Sequence, residues 1–138
     1  MSLKQIYPRV GVGAFILNAQ KELLLLLRSK PPEALHWSIP GGKLGFMERI
    51  EDAVVREIKE EVGVEIRLKK LICVTNHLVP NENEHWVCPT FLAEIVAGEP
   101  VNCEPHIIHQ VCWFPLENLP EPLTITTLTA IDAFMHGV

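Results

Sequence analysis

Four cysteines stand in 138 residues, and Cys73, Cys88, Cys103 and Cys112 are too scattered to form a Cys-x-x-Cys pair. A disulfide-stapled secreted domain and a structural zinc site both fit that spacing poorly. Long apolar runs are missing too. The longest, residues 23–27, is five leucines, against the roughly 20 residues a membrane-spanning helix needs. No signal-peptide-like segment opens the sequence, so the expectation is a cytoplasmic protein with reduced thiols and no membrane partner. Basic residues are in deficit, 12 Lys and Arg against 17 Asp and Glu, for a net charge of −5. Without a basic face, no polymeric nucleic acid is expected as a partner. No internal repeat, linker or low-complexity tract interrupts the chain. Its length suits a single domain over residues 1–138 with a proper hydrophobic core.

The acidity that is present is concentrated. Residues 48–61 hold six acids (Glu48, Glu51, Asp52, Glu57, Glu60, Glu61) and three bases (Arg49, Arg56, Lys59), and so supply −3 of the net charge. On a helix turning about 100° per residue, Glu57, Glu60 and Glu61 fall inside an arc of roughly 100°. Like charges at i,i+3 and i,i+4 spacing destabilise an isolated helix by roughly 0.2–0.5 kcal/mol per pair. Such a helix needs open solvent or a counter-charge, and a generic acidic run of this kind is most often a solvated face. Here Ile50, Val54, Ile58 and Val62 recur every fourth position and give the helix a buried stripe. The carboxylate arc borders and partly overlaps that stripe. Pro40-Gly41-Gly42 forms a breaker leading into a loop upstream, and Gly63 stands where a left-handed residue would close the helix. Carboxylate oxygens converging on one spot suit a hard cation, Mg²⁺ or Mn²⁺.

Residues 42–64 also resemble the Nudix box of the MutT-like hydrolases. Gly42, Glu48, Arg56-Glu57, the aliphatic Ile58, Glu60-Glu61, Gly63 and the aliphatic Val64 fill every defining position. Seven exact residues at ordinary frequencies would match a given window by chance about once in 10⁸. The resemblance implies an α/β/α sandwich with a mixed sheet between helices. It also implies Mg²⁺-dependent hydrolysis, with Mn²⁺ as a substitute, at the pyrophosphate of a nucleoside diphosphate linked to another group. The expected substrate is a small-molecule nucleotide, in particular a (deoxy)nucleoside triphosphate cut to monophosphate and pyrophosphate. A homodimer is left open.

The roles implied by the resemblance are these. Glu57, Glu60 and Glu61 serve the metal and the activation of water, and Gly42 offers its backbone carbonyl to the metal. Arg56 orients a box glutamate, Glu48, while Gly63 ends the helix. Family members differ in the general base; some use a later loop acid, and Glu104 is the candidate here, ahead of Glu82 and Glu84. Arg28 and Lys43 are candidates for phosphate contacts. Phe15, Trp86 and Trp113 are candidates for stacking on a base, with a place in the core as the competing role. His36, His106, His109 and His136 show no metal spacing. A looser resemblance to the triphosphate diphosphatases covers residues 76–119. Two alternatives remain beside the triphosphate reading. Pro80, sixteen residues past Val64, keeps an ADP-ribose or nucleotide-sugar diphosphatase in view; the other is a non-catalytic nucleotide-sensing module, which usually loses box glutamates. In one region the chain departs from the commoner box: Gly45-Phe46-Met47 precedes Glu48, so loop shape and substrate fit differ.

Elsewhere the pattern predicts strands over residues 10–17 and 22–28, paired as a hairpin and buried on both faces because the leucine run does not alternate. A short strand over 36–39 follows, then a long strand over 66–79 broken near Asn76-His77. Further strands are expected over 86–96 and 110–114, and a helix over 124–136.

Overall fold

Side chains alternate across a strand, and in the strands β1 (Arg9–Ile16) and β2 (Glu22–Arg28) both alternating sets are buried. The computed structural model describes residues 7–137. Val12, Ala14 and Ile16 of β1, with Leu24 and Leu26 of β2, pack with Val54, Ile58 and Val62 of helix α1 (Ile50–Val62). The opposite set, Phe15, Leu23 and Leu25, packs with Ala130 of helix α2 (Ile125–His136). Sheet strands buried on both faces, with a helix on each side, make the expected α/β/α arrangement. The uninterrupted leucines are what such a position requires.

The other strands are β3 (Trp37–Ser38), β4 (Gly41–Lys43), β5 (Glu65–Val79), β6 (Glu84–Ala97) and β7 (Ile108–Pro115). They form a four-stranded sheet, β4-β1-β6-β5, and a three-stranded sheet, β3-β2-β7. The first is mixed, since β1 runs parallel to β6 and antiparallel to β4. The hairpin expected between residues 10–17 and 22–28 is therefore corrected. β1 and β2 belong to different sheets: they share the core through their side chains, but among the described residues their backbones pair with each other just at an isolated bridge, Leu17 to Leu23. Two adjacent apolar strands predict a shared core, and each finds a better ladder elsewhere. The break expected near Asn76-His77 is also absent. β5 stays paired with β6 through Asn76↔Val87 and His77↔Trp86, and its irregularities fall earlier, between Glu65 and Cys73.

α1 begins without a side-chain cap at Arg49, with Glu51 and Asp52 in its first turn, where acids favour the helix dipole. Burying Val54, Ile58 and Val62 contributes about 1.5–3 kcal/mol for each side chain, which outweighs the few tenths lost for each acidic pair. The acidic helix is thus held by its apolar stripe. Gly63 closes it at φ 76, with its N–H donating to Lys59, a left-handed turn that a residue with a side chain adopts only under strain.

Two contacts fix the approach to Gly41 and Gly42. Ile39 N donates to Thr127 Oγ1 at 2.8 Å, and Ala14 N donates to Pro40 O at 3.0 Å. Gly41 and Gly42, expected as a breaker leading into a loop, instead run as β4 against β1.

Candidate active site

Arg56 is the hub of the acidic helix. Its Nε and Nη2 donate to the two carboxylate oxygens of Glu48 at 2.7 and 2.9 Å, a bidentate pair. Nη1 donates to Glu57 Oε2 and to Glu60 Oε1, both at 3.1 Å, and Nη2 also reaches the Lys43 carbonyl at 3.0 Å. One guanidinium is therefore the counter-charge for three acids. It holds Glu48 down to about 2, helped by the Gly45 N–H, and the glutamates in turn push Arg56 above its ordinary range.

Glu57 and Glu61 turn from the helix toward β4. Lys43 N donates to Glu57 Oε2 at 3.3 Å, and Gly41 N donates to Glu61 Oε1 at 2.9 Å. The Glu57 carboxylate lies directly against Gly42, where an added Cβ would come within 2.0 Å of Oε1. Glycine is required there because the acid occupies the space of a side chain. Burial raises both acids, Glu57 above its ordinary value and Glu61 to about 8. The neighbouring charges of Glu104 and Glu57 raise Glu61 further, while Arg28 opposes them. Glu104 stands on a loop that meets this end of the helix. Cys103 N donates to the Glu61 carbonyl at 3.1 Å, and Asn102 Oδ1 accepts from Glu104 N at 3.0 Å, which docks the loop on the end of α1.

Among the described residues, no three acid, histidine or cysteine side chains converge into a ready-made metal cage. Glu57 and Glu60 lean on Arg56. The donor set still fits a hard divalent cation: all oxygen, with Glu61 half-buried, accepting one hydrogen bond from Gly41 and feeling the charges of Glu104 and Glu57.

A cavity of about 450 Å³ opens beside this centre, touching Gly41, Gly42, Lys43 and Glu61. Arg28 lines it, its Nε donating to the Pro32 carbonyl at 3.1 Å, and Lys43 Nζ lies 5.9 Å from the Trp86 ring centre. Trp86 forms a wall, with Nε1 donating to Glu84 at 2.9 Å. Phe15 is corrected: it is fully buried and stacks on Phe134 with ring centres 4.9 Å apart, so it cannot face a base. Trp113 packs against the α1-side core.

Sequence reasoning missed Gly11, Gly13, Glu33, Cys88 and Thr126, which also line the cavity. A Cβ on Gly11 would come within 3.2 Å of Cys88 Sγ, and one on Gly13 within 3.4 Å of Thr90 Oγ1. The signal was present in Val-Gly-Val-Gly. Glycines two apart in a strand bare one face of it, and a bare face beside a covered one makes a recess.

The raised Glu61 has a consequence for stability. Between about pH 4.5 and 8 the folded protein keeps a proton on Glu61 that the unfolded chain releases. Stability therefore falls as pH rises through that window, and Glu57 acts in the same direction. Melting of the metal-free protein in chelator between pH 5 and 8 should show this fall, and Glu61→Gln should flatten it. Equal slopes for the two proteins would contradict the assignment.

A NUDIX domain model matches residues 7–134. The crystal structure of a MutT NUDIX hydrolase from Burkholderia pseudomallei is 42% identical, with a TM-score of 0.88 over 92% of this chain and 98% of that one. The ADP-ribose pyrophosphatase of Methanocaldococcus jannaschii is 30% identical over 84% of this chain and 67% of its own length. The NAD-capped RNA hydrolase NudC of Stutzerimonas stutzeri is 34% identical over 84% of this chain and 40% of its own length. The chain thus spans about two thirds of one curated relative and two fifths of the other. Among the described residues, no helix is long and apolar enough to cross a membrane.

Proposed function

The chain belongs to the NUDIX hydrolase family, and from that premise we propose that it hydrolyses the pyrophosphate linkage of nucleoside diphosphate derivatives. A (deoxy)nucleoside triphosphate, cut to monophosphate and pyrophosphate, is the simplest substrate. The observation that carries this reading is the adjacency of the Glu57–Glu61 pair to a cavity bordered by Arg28 and Lys43. Glu61 and the two cations border the same space, of about 450 Å³, so an anionic group drawn in by Arg28 and Lys43 arrives beside the acids.

In this reading Glu57, Glu60, Glu61 and the Gly42 carbonyl would hold Mg²⁺, with Glu104 joining from its loop. When bound, the metal neutralises phosphate charge and makes water a stronger nucleophile. Arg28 and Lys43 draw the anionic chain of the substrate to the cavity rim. Arg56 keeps Glu57 and Glu60 aimed, and Glu48 keeps Arg56 aimed. With the metal bound Glu61 would be ionised, and with Glu57 and Glu60 it would serve to orient and activate an attacking water.

A second reading, hydrolysis of ADP-ribose-like substrates, is favoured by the ADP-ribose pyrophosphatase relative. A panel run with Mg²⁺ decides between them: nucleoside triphosphates, 8-oxo-dGTP, ADP-ribose, NADH, diadenosine polyphosphates and UDP-sugars. Monophosphate plus pyrophosphate is the expected product. AMP plus ribose phosphate from ADP-ribose alone would move the chain to the second reading. No product from a folded, Mg²⁺-binding protein would overturn both.

A further inference from the structure

β5 is the outermost strand of the four-stranded sheet and the longest outer strand of the fold, 15 residues against three in β4, two in β3 and eight in β7. An outer strand carries unpaired N–H and C=O groups along its free side, and folded proteins blunt such edges with charges, bulges or proline. The first half of β5 is blunted in this way. Arg67, Lys69 and Lys70 are exposed along it, Arg67 and Lys69 pair with Glu94 of β6, and the irregularities of its ladder all fall between Glu65 and Cys73.

From Cys73 to Val79 none of these devices is present. The segment holds no Lys, Arg, Asp, Glu, Gly or Pro, and its pairing with β6 is regular from Cys73↔Thr90 to Val79↔Glu84. Val74, Asn76 and Leu78 are exposed on one side of the strand, Val74 by 51% and Leu78 by 58%. Cys73, Thr75 and His77 alternate with them and are buried or half-buried. Among the described residues no further strand pairs with the free side of this segment. A scattered exposed apolar residue needs no explanation, but a regular, uncharged, apolar free edge is a template for another strand.

We propose that residues 73–79 pair with the same segment of a second copy of this chain, antiparallel about a two-fold axis through Asn76. The two four-stranded sheets then become one sheet of eight strands. The segment is complementary to itself in that register. Asn76 is its midpoint, so Val74 of each copy lies opposite Leu78 of the other, and Asn76 lies opposite Asn76, whose amide both donates and accepts. Moving the axis by one residue either way sets Asn76 opposite Val74 or Leu78 and leaves its amide against an apolar side chain. Charge favours the antiparallel arrangement as well. Lys70 lies before the segment and Glu82 in the 3-10 turn Pro80–Glu82 after it, and both are exposed. The two-fold brings the Lys70 end of each copy to the Glu82 end of the other. Both free edges are used up in the pairing, so assembly stops at two chains.

Sedimentation velocity and disulfide trapping test the pairing, whatever the cavity hydrolyses. Wild type in the micromolar range should sediment at twice the chain mass. Val74→Lys combined with Leu78→Lys sets like charges opposite each other on both sides of the axis. Both positions are exposed, so this variant should keep a cooperative melting curve and sediment as a monomer at the same concentrations. Asn76→Cys should form a disulfide-linked dimer on mild oxidation, because directly opposite strand residues have Cα atoms about 4.5–5.5 Å apart, within disulfide reach. Val74→Cys, opposite Leu78, should link no more than wild type does. A wild type that sediments as a monomer or grows into longer chains overturns the pairing, as does a dimer that survives the two lysines. Equal linking by Asn76→Cys and Val74→Cys, or linking by neither, overturns the register.

Discussion

Glu61→Gln is expected to lower kcat by about 10²–10⁴-fold, the range spanned by a general acid–base group, while the fold stays intact. The exchange is nearly isosteric, and the new amide oxygen can still accept from Gly41 N, the hydrogen bond that seats the side chain at 2.9 Å. What disappears is a negative charge in a poorly solvated, half-buried position already loaded by Glu57 and Glu104. That charge is costly in the metal-free protein, so its loss should raise the melting temperature in chelator near pH 8. Activity and stability therefore move in opposite directions. Mg²⁺ should also stabilise the variant less than the wild type, because a ligand stabilises the folded state only as far as it binds it. Kinetics and melting with and without Mg²⁺ read both effects. Retention of kcat within threefold would remove Glu61 from the reaction centre.

How much of this centre was legible in the sequence depended on how local each relation is. Arg56, Glu57, Glu60 and Glu61 share one helix, so their spacing alone predicts that they are neighbours. Gly63 could be read for the same reason, since a helix end is a local event. The strand boundaries were also nearly readable, because runs of Val, Ile and Leu bounded by Pro, Gly and Asn mark them. Strand partnership was not. Residues 10–17 and 22–28 are close along the chain and equally apolar, yet one joins β4 and β6 while the other joins β3 and β7. Nothing in two apolar runs states which ladder each completes. Phe15 was misread for a related reason. Its type suits both a base platform and a core, and only the pairing of β1 into the middle of its sheet decides for the core, against Phe134. The cavity wall is more distant still. His77, Glu33 and Thr126 come together across three elements, with Glu33 Oε2 accepting from Ile125 N at 2.9 Å and His77 Nε2 lying 3.6 Å from Glu33 Oε1. Such a meeting of separate segments has no short-range trace.

Arg56→Lys tests the other half of the centre, the part that aims the acids without touching substrate. Arginine makes five bonds here from three nitrogens: two to Glu48, one each to Glu57 and Glu60, and one to the Lys43 carbonyl. Lysine keeps the charge, but it offers donors from a single atom and cannot span a bidentate carboxylate and two further acids at once. With Glu48 released, the Gly45–Glu48 turn loses its anchor, and Glu57 is free to move off the Gly42 backbone. A displacement of about 1 Å in a reacting group costs on the order of 10²-fold in rate, so kcat should fall by about that factor. KM for the nucleotide should move much less, since Arg56 is not among the residues lining the cavity. The Glu48 carboxyl, held at about 2 by Arg56, should return toward its ordinary range. The stability this pair gives is present above about pH 4.5 and lost as pH falls toward 2, so the variant should lose less on acidification than the wild type. A variant with unchanged kcat and a raised KM would instead place Arg56 against the substrate. A variant that melts earlier at every pH with normal kinetics would make the five bonds a matter of folding alone.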